Sequence, residues 1–414
     1  MTSRASSGAS WRTALNRFVI RTELSALQAM GAASDTDLRP GALTVSGFIN
    51  ETLGIGRAAR LTLSAMQAAG LSPRAHDLRA LWPHKPFAGG ASPTGQPGGV
   101  WLLHCNAPEG IAALAKARRA DWKHAYRIGY WAYELPTAPR LWRRAASLFH
   151  EIWVPSQFVA NALRGCSTPV RVMPHPVEVD AGACARPPEM AAGVFHVLAT
   201  GDLRSSFTRK NILGAVEIFR TAFPTPSPGL KLMLKLVTRG ETSPALARVM
   251  AAIAGRPDIV LVERDMPDQD AHAFLAHSDV LLHPHRSEGF GLMIAEAFLL
   301  GTPALATGWS GNLDFMSVAP DLLIPAREVP AEDPDGVYDA PGQVWADPDV
   351  NAAAARLRGL VAAPDSARSR VEAQVEAVRG RLHAMRDLWA SAAMTALPLA
   401  RHLEPPSPET SPQA

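Results

Sequence analysis

Two glutamates, Glu288 and Glu296, stand eight positions apart in the run Ser287-Glu288-Gly289-Phe290-Gly291-Leu292-Met293-Ile294-Ala295-Glu296. An apolar strand pattern, Asp279 to Pro284, precedes the run, and Leu300-Gly301-Thr302-Pro303 follows it with the glycine and proline of a helix stop. Strand, glycine turn and helix start make an anion site, because the first N–H groups of a helix are unpaired and carry the positive end of its dipole. An acid in the turn and another within the helix add acceptors for hydroxyls. Such a site suits a ligand with both hydroxyls and phosphate, and a nucleotide-sugar meets that description. Either glutamate alone reads as an ordinary helix-start or solvent-facing acid; the glycines, the strand and the helix stop argue against that for the pair.

A second cluster, Gly201-Asp202-Leu203-Arg204-Ser205-Ser206-Phe207-Thr208-Arg209-Lys210-Asn211, follows a strand and opens a helix. Adjacent cations there, Arg209 and Lys210, are placed to clamp a diphosphate and stabilise it as a leaving group. Cations at a helix start are unfavourable without an anion, which weighs against a plain surface helix. A third group, Gly54-Ile55-Gly56-Arg57-Ala58-Ala59, fits the dinucleotide pattern G-x-G-x-x-A, with Asp77 near the position of a ribose-binding acid. Asn50 to Leu53 separate it from its strand, so Gly54 and Gly56 fit equally a loop offering N–H groups to a diphosphate, or a simple turn. His104 and Asn106 end a strand, and Glu134 follows another; all three are candidates to face a cleft on the acceptor side. The D-x-D triplets at 35–37, 268–270, 333–335 and 347–349 do not directly follow apolar strands, and Asp268 with Asp270 fits a helix start. No metal site is expected.

Positioning these groups requires alternating strands and helices. Strands are expected near 43–49, 74–78, 100–106, 125–131, 151–156 and 170–176, and again near 194–201, 231–237, 258–263, 280–283, 303–307 and 322–325. The fold class is α/β: two Rossmann-like parallel-sheet domains facing a cleft, with ligands at the carboxyl ends of the strands. The division reads as an N-terminal extension (1–40), a first domain (41–180), a linker (181–193), a second domain (194–364), a helical segment (365–400) suited to crossing back, and a disordered tail (401–414). Pro83 to Gly99 reads as a surface loop.

A chain of 414 residues exceeds one ordinary core, and 47% apolar with 19% charged residues is a globular composition. The net charge of +3 carries no overall basic footprint for nucleic acid. Cys105, Cys166 and Cys184 form no metal pair or disulfide framework, which favours a reducing cytoplasm. No apolar run reaches membrane-spanning length, and the N-terminus lacks a signal-peptide pattern. Arg140, Arg143 and Arg144 among Leu141, Trp142, Leu148 and Phe149 leave peripheral contact with the inner membrane face open, beside the plainer reading of a half-buried helix.

The sequence resembles the retaining glycosyltransferases of the GT-B fold, in particular family 4 (glycosyl transferases group 1). The likeness lies in the E-x7-E element at Glu288 and Glu296 with its Gly289-Phe290-Gly291 core, the Arg209-Lys210 pair and the Gly54–Gly56 loop. Gly308-Trp309-Ser310-Gly311-Asn312 and Trp153-Val154-Pro155-Ser156 also contribute, and the likeness spans roughly 43–390. The resemblance implies a nucleotide-diphosphate-sugar on the C-terminal domain and an acceptor on the N-terminal one. Transfer would retain configuration, without an essential metal or cofactor. Glu296 would bind ribose, Glu288 would face the donor sugar, and Arg209 and Lys210 would hold the diphosphate. Gly289, Phe290, Gly291 and Leu292 would contribute backbone donors, and the base would lie near Arg264. His104 would be the catalytic-site histidine. The acceptor, a glycan or a lipid-linked or protein glycoconjugate as in polysaccharide biosynthesis, stays open. Rival readings are a nucleotide-sugar epimerase or phosphorylase of the same fold, an NAD-dependent oxidoreductase, and a non-catalytic binding or scaffold protein.

Overall fold

The computed structural model describes residues 18–52, 54–81, 98–180, 185–203, 206–238, 243–264, 266–334, 338, 342–363, 365–390, 394 and 397–403. Most of the expected loop at 83–99, Cys184, Arg204, Ser205 and nearly all of the expected tail lie outside them.

Two six-stranded parallel sheets form, one from each half of the chain. The first contains β1 (Leu43–Gly47), β2 (Arg74–Asp77), β3 (Val100–His104), β4 (Tyr126–Tyr130), β5 (Glu151–Val154) and β6 (Val170–Val172), in the order β2-β1-β3-β4-β5-β6. The second contains β7 (Phe195–Asp202), β8 (Leu230–Val237), β9 (Ile259–Glu263), β10 (Val280–His283), β11 (Ala304–Thr307) and β12 (Leu323–Ile324), in the order β12-β11-β10-β7-β8-β9. The chain therefore changes direction across each sheet, between β1 and β3 in the first and between β7 and β10 in the second. Crevices open at such reversals, beyond the carboxyl ends of the strands.

Five of the interior strands, β1, β3, β4, β10 and β11, are buried along their whole length, because helices cover both faces of a parallel sheet. The cores fall into four clusters, two per sheet. All twelve expected strands form. The Pro/Asp-rich stretch after β12 adds an antiparallel hairpin that the sequence reading lacks, β13 (Ala326–Pro330) with β14 (Val344–Pro348). It leaves the second half and inserts Trp345 into a core of the first.

Two helices differ from expectation. The helix after β1 runs Gly54–Ala68, so Gly54 and Gly56 are its first turn rather than a free loop. The reason is close packing: a Cβ on Gly56 would lie 2.4 Å from the Glu51 carbonyl oxygen and 2.5 Å from that of Phe48. The long C-terminal helix runs Asp365–Asp387, packs Val375, Val378 and Leu382 on the second half, and then ends. Beyond it Trp389 stands edge-on to Trp153 and donates Nε1–H to the Pro174 carbonyl at 2.8 Å, joining a core of the first half with Met394 and Leu399. The short helix Arg140–Ala145 buries Trp142 and Ala145, the plainer of its two readings.

Candidate active site

The Arg209–Lys210 pair and Glu288 meet at the reversal of the second sheet. Ser206 caps the Phe207–Lys210 helix by accepting from the Arg209 N–H, and Asn211 turns the chain in the left-handed region (φ 55°) into the next helix. The Asn211 side chain donates to the Pro284 carbonyl at 2.8 Å, tying this corner to the loop after β10. Lys210 Nζ donates to Glu288 Oε1 at 2.5 Å, and Arg209 Nη1 stands 3.2 Å from the same oxygen. Arg209 also donates to the Ser287 carbonyl at 2.7 Å. Burial alone would push the Glu288 carboxyl up, but the Lys210 and Arg209 charges win and hold it far below the usual carboxylate range. It is an anion held between Lys210 and Arg209.

The loop carrying Glu288 is built by close backbone contacts. Glu288 N–H donates to Ser310 Oγ at 2.8 Å, and Gly311 N–H to the Glu288 carbonyl at 2.9 Å. Ser310 takes φ 71°, a conformation that costs a non-glycine residue about 1–3 kcal/mol and persists when its surroundings enforce it. Gly291, at φ 95°, then starts the Leu292–Leu299 helix that holds Glu296. Phe290 packs edge-on against His175 and against Phe315, and Leu292 is half-buried beside the same core.

This loop rests on the first half of the molecule. Ser156 Oγ donates to the Gly289 carbonyl at 2.6 Å, and Gln157 N–H to Asp314 Oδ2 at 2.7 Å. Glu134 reaches Arg209 Nη2 at 3.6 Å, so the acceptor-side carboxylate joins the cation cluster. Tyr338, in the excursion between β13 and β14, donates its hydroxyl to Glu134 Oε2 at 2.6 Å and lies under the Arg209 guanidinium, 5.7 Å from its ring centre. Asp333 anchors that excursion by accepting from Ser206 Oγ at 3.1 Å and from the Tyr338 N–H.

Glu296 is 5% exposed, which excludes the solvent-facing reading. It accepts from Arg57 Nε at 3.0 Å, with His272 Nε2 at 3.5 Å. The other candidates stand apart from these carboxylates. His104 ends β3 at the reversal of the first sheet, stacked on Tyr130 at 4.2 Å, and burial pushes its imidazole down to about 3. Asn106 accepts the Ala132 N–H at 2.8 Å and so braces the chain leading to Glu134. Arg264 lies just past β9, largely exposed, 3.4 Å from Glu189 and over the Phe274 ring.

A family model described as family 4 glycosyltransferases in conflict systems matches residues 154–395, more than half of the chain. The chain belongs to this family. Comparison with curated proteins returns no match. Among solved structures, this glycosyltransferase is similar to a sucrose-phosphate synthase from Thermosynechococcus elongatus, at TM-score 0.59 and 16% identity, covering 86% of this chain and 97% of that one. It is similar to an E. coli trehalose-6-phosphate structure bound with UDP-2-fluoro glucose, at TM-score 0.57 and 11% identity over 86% and 100%. The glycosyltransferase WaaG, involved in lipopolysaccharide biosynthesis, gives TM-score 0.52 and 14% identity over 85% and 98%. At these identities the likeness shows the shared GT-B fold. Among the described residues no helix is long and apolar enough to cross a membrane.

Several residues of the glycosyltransferase cleft escape the sequence reading. Arg57 carried a usable signal, since a cation in the first turn of a helix needs an anionic partner. The same logic singled out Arg209 and Lys210. Tyr338 carried none, because it sits in a stretch without periodicity.

Proposed function

We propose that this glycosyltransferase moves a sugar from a nucleotide-diphosphate-sugar to a hydroxyl of a glycan or glycoconjugate, with retention of configuration. The observation that carries the reading is the Arg209–Lys210–Glu288 cluster at the second sheet's reversal, with Glu134 of the first half against it. Two cations beside the carboxyl end of β7 suit a diphosphate, and preorganised charge at a departing oxyanion is among the strongest catalytic devices. On donor binding the diphosphate would take over Arg209 and Lys210 from Glu288, leaving that carboxylate to orient the sugar's hydroxyls. The bond between the anomeric carbon and the diphosphate oxygen breaks, and its electron pair leaves with the diphosphate. The acceptor oxygen bonds to the anomeric carbon from the same face, so its proton has the leaving phosphate oxygen close by. Glu296 would accept from the ribose hydroxyls, and the base would lie toward Arg264.

The reaction as written calls for no essential metal. The first acid of three D-x-D triplets is committed to protein partners: Asp268 to Arg57 and Arg60, Asp333 to Ser206, and Asp347 to Arg286 and Arg327. That supports the reading. The test is thermal stabilisation by UDP-, GDP-, ADP- and dTDP-sugars and by NAD, with and without EDTA. One nucleotide-sugar class raising Tm regardless of EDTA, and failing to do so in Arg209→Ala, supports the proposal. A response to NAD alone, or to no nucleotide, rejects it.

A further inference from the structure

Arg57 belongs to the first half, yet its guanidinium is held by groups beyond that half's sheet. Nε donates to Glu296 Oε1 at 3.0 Å, Nη1 to Asp268 Oδ2 at 3.2 Å, and Nη2 to the Glu178 carbonyl at 2.9 Å. His272 Nε2 stands 3.5 Å from Nη2 and 3.5 Å from Glu296 Oε1. Arg60, one turn along, donates to the same Asp268 oxygen at 2.8 Å. All three nitrogens are used. A planar guanidinium serving three acceptors is a fixed part, and a lysine at this position would not reproduce its geometry. Burial would raise the Asp268 carboxyl, but its hydrogen bond from Arg60 and the two arginine charges hold it below its ordinary value.

The consequence falls on Glu296. Both of its contacts among the described residues are made by Oε1, from Arg57 and His272. Oε2 is then the oxygen left to a ligand, and Arg57 fixes the direction in which it points. The bond crosses between the halves, so it exists only when they are closed.

We propose that Arg57 is a positioning residue for donor recognition: the acceptor half holds the Glu296 carboxylate in place for the donor's ribose. This rests on the reading of Glu296 as the ribose-binding group. It makes nucleotide recognition depend on closure of the cleft, since an open cleft would leave Glu296 with His272 alone. An arginine that merely filled the ligand's place would act in the opposite sense, and its removal would tighten binding.

The experiment measures Kd by titration calorimetry for UDP, GDP and ADP and their 2′-deoxy counterparts. It uses the full-length protein, Arg57→Ala, Glu296→Gln and the double variant. The wild type is expected to bind one ribonucleoside diphosphate more tightly than its 2′-deoxy form. Arg57→Ala should weaken the ribose form about tenfold, the loss of one charge-assisted bond. It should also bring the ribose-to-deoxyribose ratio close to one, and adding Glu296→Gln should cost little more, as for two residues acting as a unit. Asp268→Asn, which removes another anchor of the same guanidinium without touching Glu296, should move the ratio in the same direction. It serves if Arg57→Ala does not fold. A ratio unchanged in the variants, or tighter binding in Arg57→Ala, overturns the inference while leaving the donor reading intact. A wild type that binds no nucleoside diphosphate overturns both.

Discussion

At the scale of single residues, the cleft is a chain of charges that the protein has paired with itself. Glu288 lies between Lys210 and Arg209, and Glu134 lies on the far side of Arg209. Removing one member of a buried pair leaves the other uncompensated, at about 3–5 kcal/mol for a fully buried case. Lys210 retains partial exposure, 23% for its side chain, and Arg209 still pairs Glu288 when Lys210 is removed, so the cost falls below that range. Lys210→Ala is therefore expected to cost about 1–2 kcal/mol in urea unfolding, the loss of one charge-assisted bond, and to lower donor turnover by at least about 100-fold. The sign with pH follows from Glu288. Its folded value is depressed, so its contribution is present above the ordinary carboxylate value of 4.5 and fades only as pH falls through the lower folded one. The penalty in Lys210→Ala should hence be the same at pH 8 and pH 6; a penalty that vanishes at pH 6 would mean the pair is not formed. Glu288, Glu296, Arg209 and Lys210 were legible because their spacing around strand ends and helix starts has a physical meaning. Arg57 and Tyr338 pair with groups more than 200 positions away; the helix-start place of Arg57 signals a need for an anion but not which one, and Tyr338 has no local signal at all.

At the scale of elements, the Glu288 loop is set by two glycine contacts that no side chain can replace. A Cβ on Gly311 would lie 2.2 Å from the Gly289 carbonyl oxygen and 2.8 Å from the Phe290 nitrogen, all backbone that cannot swing aside. Gly311→Ala should destabilise by at least about 1–3 kcal/mol, as overpacking does, and should move Glu288 off Lys210, so that turnover falls further than stability does. The contrast is Gly359, in the Val350–Val361 helix, where a Cβ would meet nothing within 4 Å. Gly359→Ala should stabilise by about 0.5–1 kcal/mol with unchanged turnover. Denaturant midpoints and initial rates on the same samples decide both; equal losses in the two variants would contradict the loop argument. Most of the twelve sheet strands could be read from the sequence because buried parallel strands are short apolar runs between turn residues; β2, Arg74–Asp77, is half exposed and has no such run. The β13–β14 hairpin could not. Its strand Ala326–Pro330 is almost wholly exposed and lacks any apolar alternation, so only its packing partner, through Trp345, gives it a place.

For the whole molecule, four histidines are buried near the strand ends of the two sheets. His104 and His175 stack with Tyr130 in the first half, and the His175 ring meets Phe290 of the second. His283, the last residue of β10, and His285, just beyond it, lie near Glu288, Lys210 and Arg209. Burial lowers all four imidazoles, to about 3 for His104 and about 4 for His283, and well below 6.5 for His175 and His285. Neutral in the folded chain, they protonate near 6.5 once unfolded. The unfolded state thus binds more protons below that pH, and stability falls as the medium is acidified from about 6.5 towards 4. Each such group contributes about 1.4 kcal/mol per pH unit once its unfolded form is fully charged. Glu109 acts the other way: burial raises its carboxyl, so the folded chain retains that proton where the unfolded chain releases it. Its effect lies above 4.5 and is that of one group against four imidazoles. Domains are stable by about 5–15 kcal/mol, so a decline of this size should bring unfolding within reach near pH 5. Urea midpoints at pH 7.5, 6.5, 5.5 and 5 should stay level over the first interval and then drop. His283→Asn should reduce the slope below 6.5 by one proton. A midpoint that is flat down to pH 5 would mean that these imidazoles reach solvent in the folded protein.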